Sequence, residues 1–368
     1  MIKILLYPFS FLFGIITSIR NILYDLRILK SEEFDIPVVS IGNITVGGTG
    51  KTPHVEYLVG LLKDKFEVAT LSRGYKRKSR GFIEVQTDSG VREVGDEPLQ
   101  IKKKFPEVIT AVCKDRRTGI KRILDSKNIK TPDVIILDDA FQHRRISPGV
   151  NILLIDYNRP LKKDTLLPVG RLRESSSQIK RADIIIFTKC YGDVTSIMRR
   201  IMQKEVYLRP YQELYFSTLD YDRIMPVFSG NELDDEALNE KQFAMLVVTG
   251  IASPVLIYKH IEKFASQMET LKFSDHHHYS KKNIRTILGK FESINSEKKI
   301  IVTTEKDAMH FKSLSNLPDT FKESLYYIPV KIKFIDNDGN LFNKKMLTYV
   351  GENKSNRKLY KRKDKGQS

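Results

Sequence analysis

Short runs of valine, isoleucine and leucine recur along the first half of the chain. DIPVVSIGN, FEVATLS, PDVIILDD, VNILLID and ADIIIFTK (residues 182–189) are such runs, and the amphipathic stretches EYLVGLLKDKF and DEPLQIKKKF lie among them. Apolar runs without polar alternation suit strands covered on both faces. Their alternation with helical patterns predicts a parallel sheet with crossover helices over residues 31–204. A second set follows: the strands FAMLVVTG and KKIIVTTEKD, with SPVLIYKHIEKFASQ and SKKNIRTILGKF as helices between them. These predict a smaller α/β domain over 241–350. Residues 205–240 are mixed, with Tyr207, Tyr211, Tyr215 and Phe216, and read as a linking pair of strands. From Gly351 the tail to residue 368 carries seven Lys or Arg in eighteen residues and almost no apolar anchor, so it is expected to be disordered.

The first thirty residues follow a different pattern. ILLYPFSFLFGIITSI, residues 4–19, is uncharged and lies between Lys3 and Arg20. Sixteen helical residues span about 24 Å, short of a hydrocarbon core of about 30 Å. No small-residue cleavage site marks it as a signal peptide. An interfacial anchor flanked by Arg20, Arg27 and Lys30 fits better, so residues 1–30 are expected to form a membrane-associated helix. Pro8 argues against a buried core helix.

Composition sharpens this picture only in part. Lys and Arg outnumber Asp and Glu by 62 to 45, a net charge of +17. Such a surplus calls for an anionic partner: nucleic acid, an acidic membrane surface or a phosphorylated substrate. No nucleic-acid-reading motif is present, and the apolar N-terminus favours the membrane. Cys113 and Cys190 have neither CxxC nor metal spacing, which fits a reducing compartment.

The candidate chemistry begins at VGGTGKTP, residues 46–53, between an apolar run and a helical pattern. A strand, a Gly-rich turn and a helix starting at Lys-Thr form a phosphate loop, whose N–H groups cradle phosphate oxygens. Thr45, Val46, Gly47, Gly48, Thr49, Gly50, Lys51 and Thr52 are the expected ATP-binding residues. Lys51 reaches the β and γ phosphates, and the Thr52 hydroxyl goes to Mg²⁺. The general pattern asks for Gly where Thr45 stands; a Gly-rich turn that merely caps a helix is the rival reading. VIILDDAFQHRR supplies the second sign. Asp138 and Asp139 end an apolar strand, where such proteins hold Mg²⁺. Gln142 and His143 follow in the same turn. A base-reading [NT]KxD is missing, since TKCY stands at 188–191, so guanine is not supported.

GNITVGGTGKTP, LSRGYKRKSRG, VGDEP, KDRR, LDDAFQHRR, LLPVGRLRES, FSDHHHY and VTTEKDAMHF occur in that order. With the apolar N-terminus, they resemble the tetraacyldisaccharide 4′-kinases of lipid A biosynthesis, from about residue 1 to 335. The Thr45 form of the loop is itself a feature of that family. The resemblance implies a P-loop kinase of two α/β/α domains joined by a short two-stranded link. It implies transfer of the ATP γ-phosphoryl group to the 4′-hydroxyl of an acylated glucosamine disaccharide 1-phosphate, giving lipid IVA. It also places the enzyme at the cytoplasmic face of the inner membrane of a Gram-negative bacterium. Asp96 in VGDEP becomes the candidate base, although local chemistry equally makes it a helix N-cap. The resemblance pairs Asp96 with a His of the 276–278 run that maps to His276, with His277 and His278 as alternatives; Asp275 beside it is a candidate to orient the ring, and by itself the His run also suits a transition metal or a solvated turn. Arg73, Tyr75, Arg116, Arg173 and Glu174 match family motifs and are expected at phosphate or sugar. The alternative is a P-loop NTPase that couples ATP hydrolysis to another membrane or nucleic-acid partner. Oligomeric state is not legible in the sequence.

Overall fold

The computed structural model describes residues 2–126, 130–228, 233, 235–275 and 277–365. The chain opens with α1 (Ile2–Asp25). The first domain then runs β1 (Val38–Gly42), α2 (Lys51–Leu62), β2 (Val68–Ser72), β3 (Ile83–Glu84), α3 (Val91–Val94), α4 (Asp96–Lys104), β4 (Ile109–Val112), α5 (Arg116–Asp125), β5 (Val134–Asp138), β6 (Val150–Asp156), β7 (Ile184–Thr188), α6 (Ser196–Val206) and β8 (Glu213–Tyr221). The second domain holds β9 (Met225–Pro226), α7 (Asp235–Asn239), β10 (Ala244–Thr249), α8 (Val255–Ile261), β11 (Gln267–Lys272), α9 (Lys281–Glu292), β12 (Lys299–Thr304), α10 (Glu305–Lys312), α11 (Asp319–Ser324) and β13 (Leu325–Ile328). The chain then returns through β14 (Val330–Phe334) and α12 (Asp338–Lys365).

Among the described residues the larger sheet has the order β14-β8-β7-β6-β1-β5-β2-β4-β3, parallel except at its two edge strands. The apolar runs become strands buried along their whole length, because helices cover both faces. On one face, Val55, Leu58, Val59 and Leu62 of α2 and Phe342, Met346 and Val350 of α12 pack on Val39, Ile41, Ile136 and Ile152. On the other, Phe141, Leu153, Leu161, Phe187, Val206 and Phe216 form a second core. β1 pairs with β5 on one side and β6 on the other, so the strand order reverses there. A crevice opens beyond the strands' carboxyl ends at such a reversal, and the Gly-rich turn lies in it. The smaller sheet, β11-β10-β12-β13-β9, closes around Leu246, Val248, Ile301 and Phe311.

Three expected boundaries change. The second domain ends at β13 rather than residue 350, because β14 pairs antiparallel with β8 in the larger sheet. That pairing, from Val330↔Tyr221 to Phe334↔Ser217, is the two-stranded link, and half of it comes from after the second domain. The basic tail, expected to be disordered, continues α12 as helix to Lys365. Its first turns are fixed against the first domain, and each further Lys or Arg extends an existing helix at little cost. Finally, the N-terminal helix, expected over residues 1–30, ends at Asp25 and has 24 residues.

Candidate active site

The phosphate loop is held from every side. Asn43 Nδ2 donates to Thr49 Oγ1 at 2.9 Å, and Thr188 Oγ1 donates to Thr49 O at 2.9 Å. Lys189 donates to the Gly48 carbonyl and sits 3.0 Å from Asp156. Gly47 and Gly50 have φ of 104° and 82°, a region costly for any side chain. Thr45 instead forms a short antiparallel bridge to Leu172, a conformation open to any residue. That explains why Gly is unnecessary there. Beneath the loop, buried His54 lies 2.7 Å from Gly50 O through Nδ1 and 3.0 Å from Ser217 Oγ through Nε2. A carbonyl can only accept, so Nδ1 carries the proton. Burial lowers the His54 pKa to about 4 and keeps the ring neutral.

The two aspartates after β5 have different surroundings. Asp139 adopts φ 47° and meets Arg173 Nη1 at 3.1 Å through both carboxylate oxygens. Lys51 Nζ lies 3.6 Å from it. Burial works to raise its pKa, but Lys51 and Arg173 prevail and hold it low. Asp138 is buried, and among the described residues its Oδ1 has no hydrogen-bond partner. Burial, then repulsion from Glu97 and Asp139, pushes its pKa up to about 7. Buried Arg116 donates to the carbonyls of Asp138 at 3.3 Å and Asp139 at 3.4 Å, fixing the turn. An unsatisfied buried carboxylate oxygen beside Lys51 and a second aspartate fits Mg²⁺, which takes one or two carboxylates plus phosphate oxygens. Thr52, the next residue after Lys51 and buried, can supply its hydroxyl.

Asp96 stands at the domain junction. It is the first residue of α4, and the capping position belongs to Gly95 at φ 96°. Asp96 Oδ1 accepts from Glu97 N at 3.0 Å. Its Oδ2 lies 3.5 Å from His310 Nε2 and 3.7 Å from Lys306 Nζ, both on α10 of the second domain. Lys306 also lies 3.7 Å from Glu97 and 3.7 Å from Asp275. His276 lies outside the described residues. Its neighbour His277 packs on Phe273 and Tyr279, while the His278 ring lies 5.4 Å from that of His310. Lys306 and His310 were not singled out in the sequence, although VTTEKDAMHF was. Their spacing of four on one helix is the signal that places both on one face.

Two open spaces meet at this junction. One, of about 420 Å³, lies between the domains. Gly48, Lys51, Thr52, Tyr75, Asp139 and Lys306 form its polar side; Leu219, Tyr221, Ile257, Ile328 and Val330 form an apolar wall. The other, of about 910 Å³, lies between α1 and the first domain. Arg20, Arg73, Arg116, Arg117, Arg145 and Arg173 make it strongly basic, and Asp139 and Arg173 border both spaces. Gln142 and His143 line the basic cleft, but Gln142 Nε2 is committed to Asn43 O at 2.6 Å. Burial and then Arg116 lower the His143 pKa to about 4. Glu174, expected at substrate, does not line the cleft: it is buried, bonded to Arg181 and 3.9 Å from Arg20. Its position in GRLRES hid this, because sequence does not show which way a loop carboxylate faces.

Comparison with known proteins points to one family. The family model described as tetraacyldisaccharide-1-P 4′-kinase matches residues 2–350. The tetraacyldisaccharide 4′-kinase of Phocaeicola vulgatus is 45% identical over 352 residues, covering 95% of this chain and 96% of its own. That of Bacteroides thetaiotaomicron is 45% identical over 372 residues, covering 99% and 97%. A crystal structure of LpxK from Aquifex aeolicus in complex with ATP superposes with a TM-score of 0.71 at 30% identity, covering 95% of this chain and 99% of that one. The chain therefore belongs to the tetraacyldisaccharide-1-P 4′-kinase family.

Proposed function

We propose that the chain transfers the γ-phosphoryl group of ATP to the 4′-hydroxyl of a tetraacyldisaccharide 1-phosphate in the lipid A pathway of a Gram-negative bacterium. Family membership supports the reaction; the meeting of the phosphate-loop cavity with the basic cleft at Asp139 and Arg173 carries the residue assignment. ATP lies with its phosphates on Gly47–Thr52 and its base on the apolar wall of Leu219, Tyr221 and Ile328. Lys51 holds the β and γ phosphates, and Arg173 neutralises charge beside them. Thr52 and Asp138 would hold Mg²⁺, which when bound neutralises charge on the phosphate oxygens. Asp96 accepts the proton of the 4′-hydroxyl as its oxygen bonds to phosphorus; the bond to the bridging oxygen breaks and ADP leaves. Lys306 balances Asp96, Glu97 and Asp275, so that three carboxylates share one junction. The sugar and its 1-phosphate occupy the basic cleft, with Arg73, Arg116 and His143 in its wall and Tyr75 at the mouth of the neighbouring cavity.

The same reading makes α1 a lipid-surface element on the cytoplasmic face. Leu5, Phe9, Phe11, Ile16 and Ile19 are more than half exposed. The helix is long and apolar enough to cross a bilayer. Yet Ser10 bonds to Leu166 O at 2.7 Å, Arg20 to Gln142 O at 2.7 Å, and Asp25 to Arg144 at 2.7 Å and Lys180 at 2.8 Å. A helix pinned to the domain over 15 residues, about 23 Å, lies along a surface rather than spanning it. The test is transfer of labelled γ-phosphate to the disaccharide 1-phosphate in detergent by wild type and Asp96→Asn. A phosphorylated lipid from wild type, reduced about a thousandfold in the variant, is expected. Steady ATP hydrolysis without acceptor, and no lipid product, would favour the hydrolase alternative.

A further inference from the structure

α6 presents an outward face that the proposed reaction does not use. Ile197 is 72% exposed, Ile201 53% and Met198 41%, and Tyr207, just past the helix, is 77% exposed. Its inward face is fixed: Val206 is buried, and Arg199 pairs with Asp336 at 2.9 Å and Asp338 at 3.0 Å. On the outward face the charged side chains are the exposed Arg200 and Lys204; Glu205 is turned toward Lys162. A short amphipathic helix with isoleucines, cations and a terminal tyrosine on its free side has the composition of an interfacial lipid contact.

The neighbours of α6 say which surface it meets. Lys162 N donates to Glu205 at 3.1 Å, Lys162 Nζ donates to Lys204 O at 3.3 Å and lies 4.4 Å over the Tyr207 ring. Four residues on, Leu166 receives Ser10 of α1, and its side chain fills the space beside Gly14. A second connection runs from Tyr211 to Lys180 O at 2.6 Å, and from Lys180 to Asp25 of α1 at 2.8 Å. Segment 161–181 thus carries α1 on one side and α6 on the other, over the same face of the larger sheet, with Leu161, Leu172 and Val206 in one core.

We propose that α6 is a second lipid-contacting element, which seats Ile197, Met198, Ile201 and Tyr207 in the anionic bilayer surface that α1 faces. The proposal rests on the reading of α1 given above. Two contacts on either side of one rigid segment fix the tilt of the first domain, which a single helix leaves free to roll. They set the mouth of the basic cleft against the headgroups, where an acylated substrate lies.

The chain contains no tryptophan, so Ile201→Trp introduces a single tryptophan whose emission is excited selectively over the tyrosines. With the full-length protein and vesicles of phosphatidylethanolamine and phosphatidylglycerol, its emission is expected to shift to the blue and be quenched by brominated acyl chains. Emission unchanged by vesicles that bind the protein would overturn the proposal. In flotation, Ile197→Ser with Ile201→Ser is expected to weaken partitioning about tenfold. Arg200→Gln with Lys204→Gln is expected to weaken it about fivefold per charge, and only where phosphatidylglycerol is present. Kinase activity in detergent micelles should stay at the wild-type level in all of these, showing that the fold is intact. Phe9→Ser with Phe11→Ser separates the two readings. If it alone abolishes flotation and the α6 variants float normally, α1 acts by itself and the proposal fails. If neither set matters, the reading of α1 fails first. A change of sedimenting mass in the α6 variants without loss of flotation would give this face to a second copy of the chain and overturn the proposal.

Discussion

Asp138→Asn should make the protein more stable at neutral pH while removing its activity. Asp138 is buried with an unpartnered oxygen, and its pKa is pushed up to about 7 from 3.8. Unfolded, the carboxyl loses its proton near 3.8; folded, it keeps it until about 7. Between these values the folded chain binds the extra proton, so stability falls as pH rises from about 4 to 7 and levels off above. The full interval corresponds to roughly 4 kcal/mol, an upper figure because Asp138 titrates together with its charged neighbours. Asn removes the charge but leaves a buried amide, costing about 1–2 kcal/mol. A net gain of about 2 kcal/mol is expected at pH 8 without nucleotide or Mg²⁺, and none at pH 4. Urea unfolding at both pH values, followed by far-UV circular dichroism, reads this directly. Mg²⁺ with ATP should raise the midpoint of wild type and not of the variant. Equal effects of the substitution at pH 4 and pH 8, or destabilisation at pH 8, would refute the electrostatic argument. The protein then holds Asp138 for its packing rather than against its charge.

Other expectations follow from the same geometry. Lys51→Ala should lower phosphate transfer at least a hundredfold while leaving acceptor binding near wild type, measured by rapid-quench transfer and by equilibrium binding of the lipid. His54 is held neutral with its pKa lowered to about 4, so the folded state resists a proton that the unfolded state takes up near 6.5; stability should fall as pH drops from about 6.5 to 4, and His54→Gln should flatten that limb in a denaturation series. Lys306→Met should lower phosphate transfer about tenfold, because Asp96, Glu97 and Asp275 lose their shared cation; transfer at the wild-type rate would remove Lys306 from the charge balance. Leu58→Ala, in the buried face of α2, should cost about 3 kcal/mol in urea unfolding without changing the KM for ATP by more than the loss of folded protein explains.

Much of the first domain was legible because its signals are local. A strand buried on both faces must be an unbroken apolar run, and VVSIG, VATLS, VIILD and IIIFT are such runs. The phosphate loop was legible for the same reason: its glycines answer to φ at their own positions, and Lys51 and Thr52 follow at fixed spacing. Boundaries were misread where the deciding contact is distant. Nothing within VKIKF says that it pairs with β8 some hundred residues earlier, and nothing in the basic tail says that the helix entering it is already anchored. The sequence also could not choose the direction of a side chain. It grouped Glu174 with the substrate residues, whereas burial and Arg181 turn it inward.

The sequence by itself determined a phosphate loop, two α/β units, an apolar basic-flanked N-terminus and an ordered set of motifs characteristic of one family. Each depends on residues close together in the chain, where steric and hydrogen-bond rules act without reference to the rest. The tertiary structure decided which charges meet. Asp96 stands some two hundred residues before Lys306 and His310 and in the other domain, and only the packing of one domain on the other brings them within 4 Å. Asp138 and Asp139 are adjacent and chemically identical, yet burial and the nearby carboxylates push the pKa of Asp138 up, while Lys51 and Arg173 hold that of Asp139 low against its burial. Charge and desolvation act through space, so their outcome is fixed only once the chain has folded.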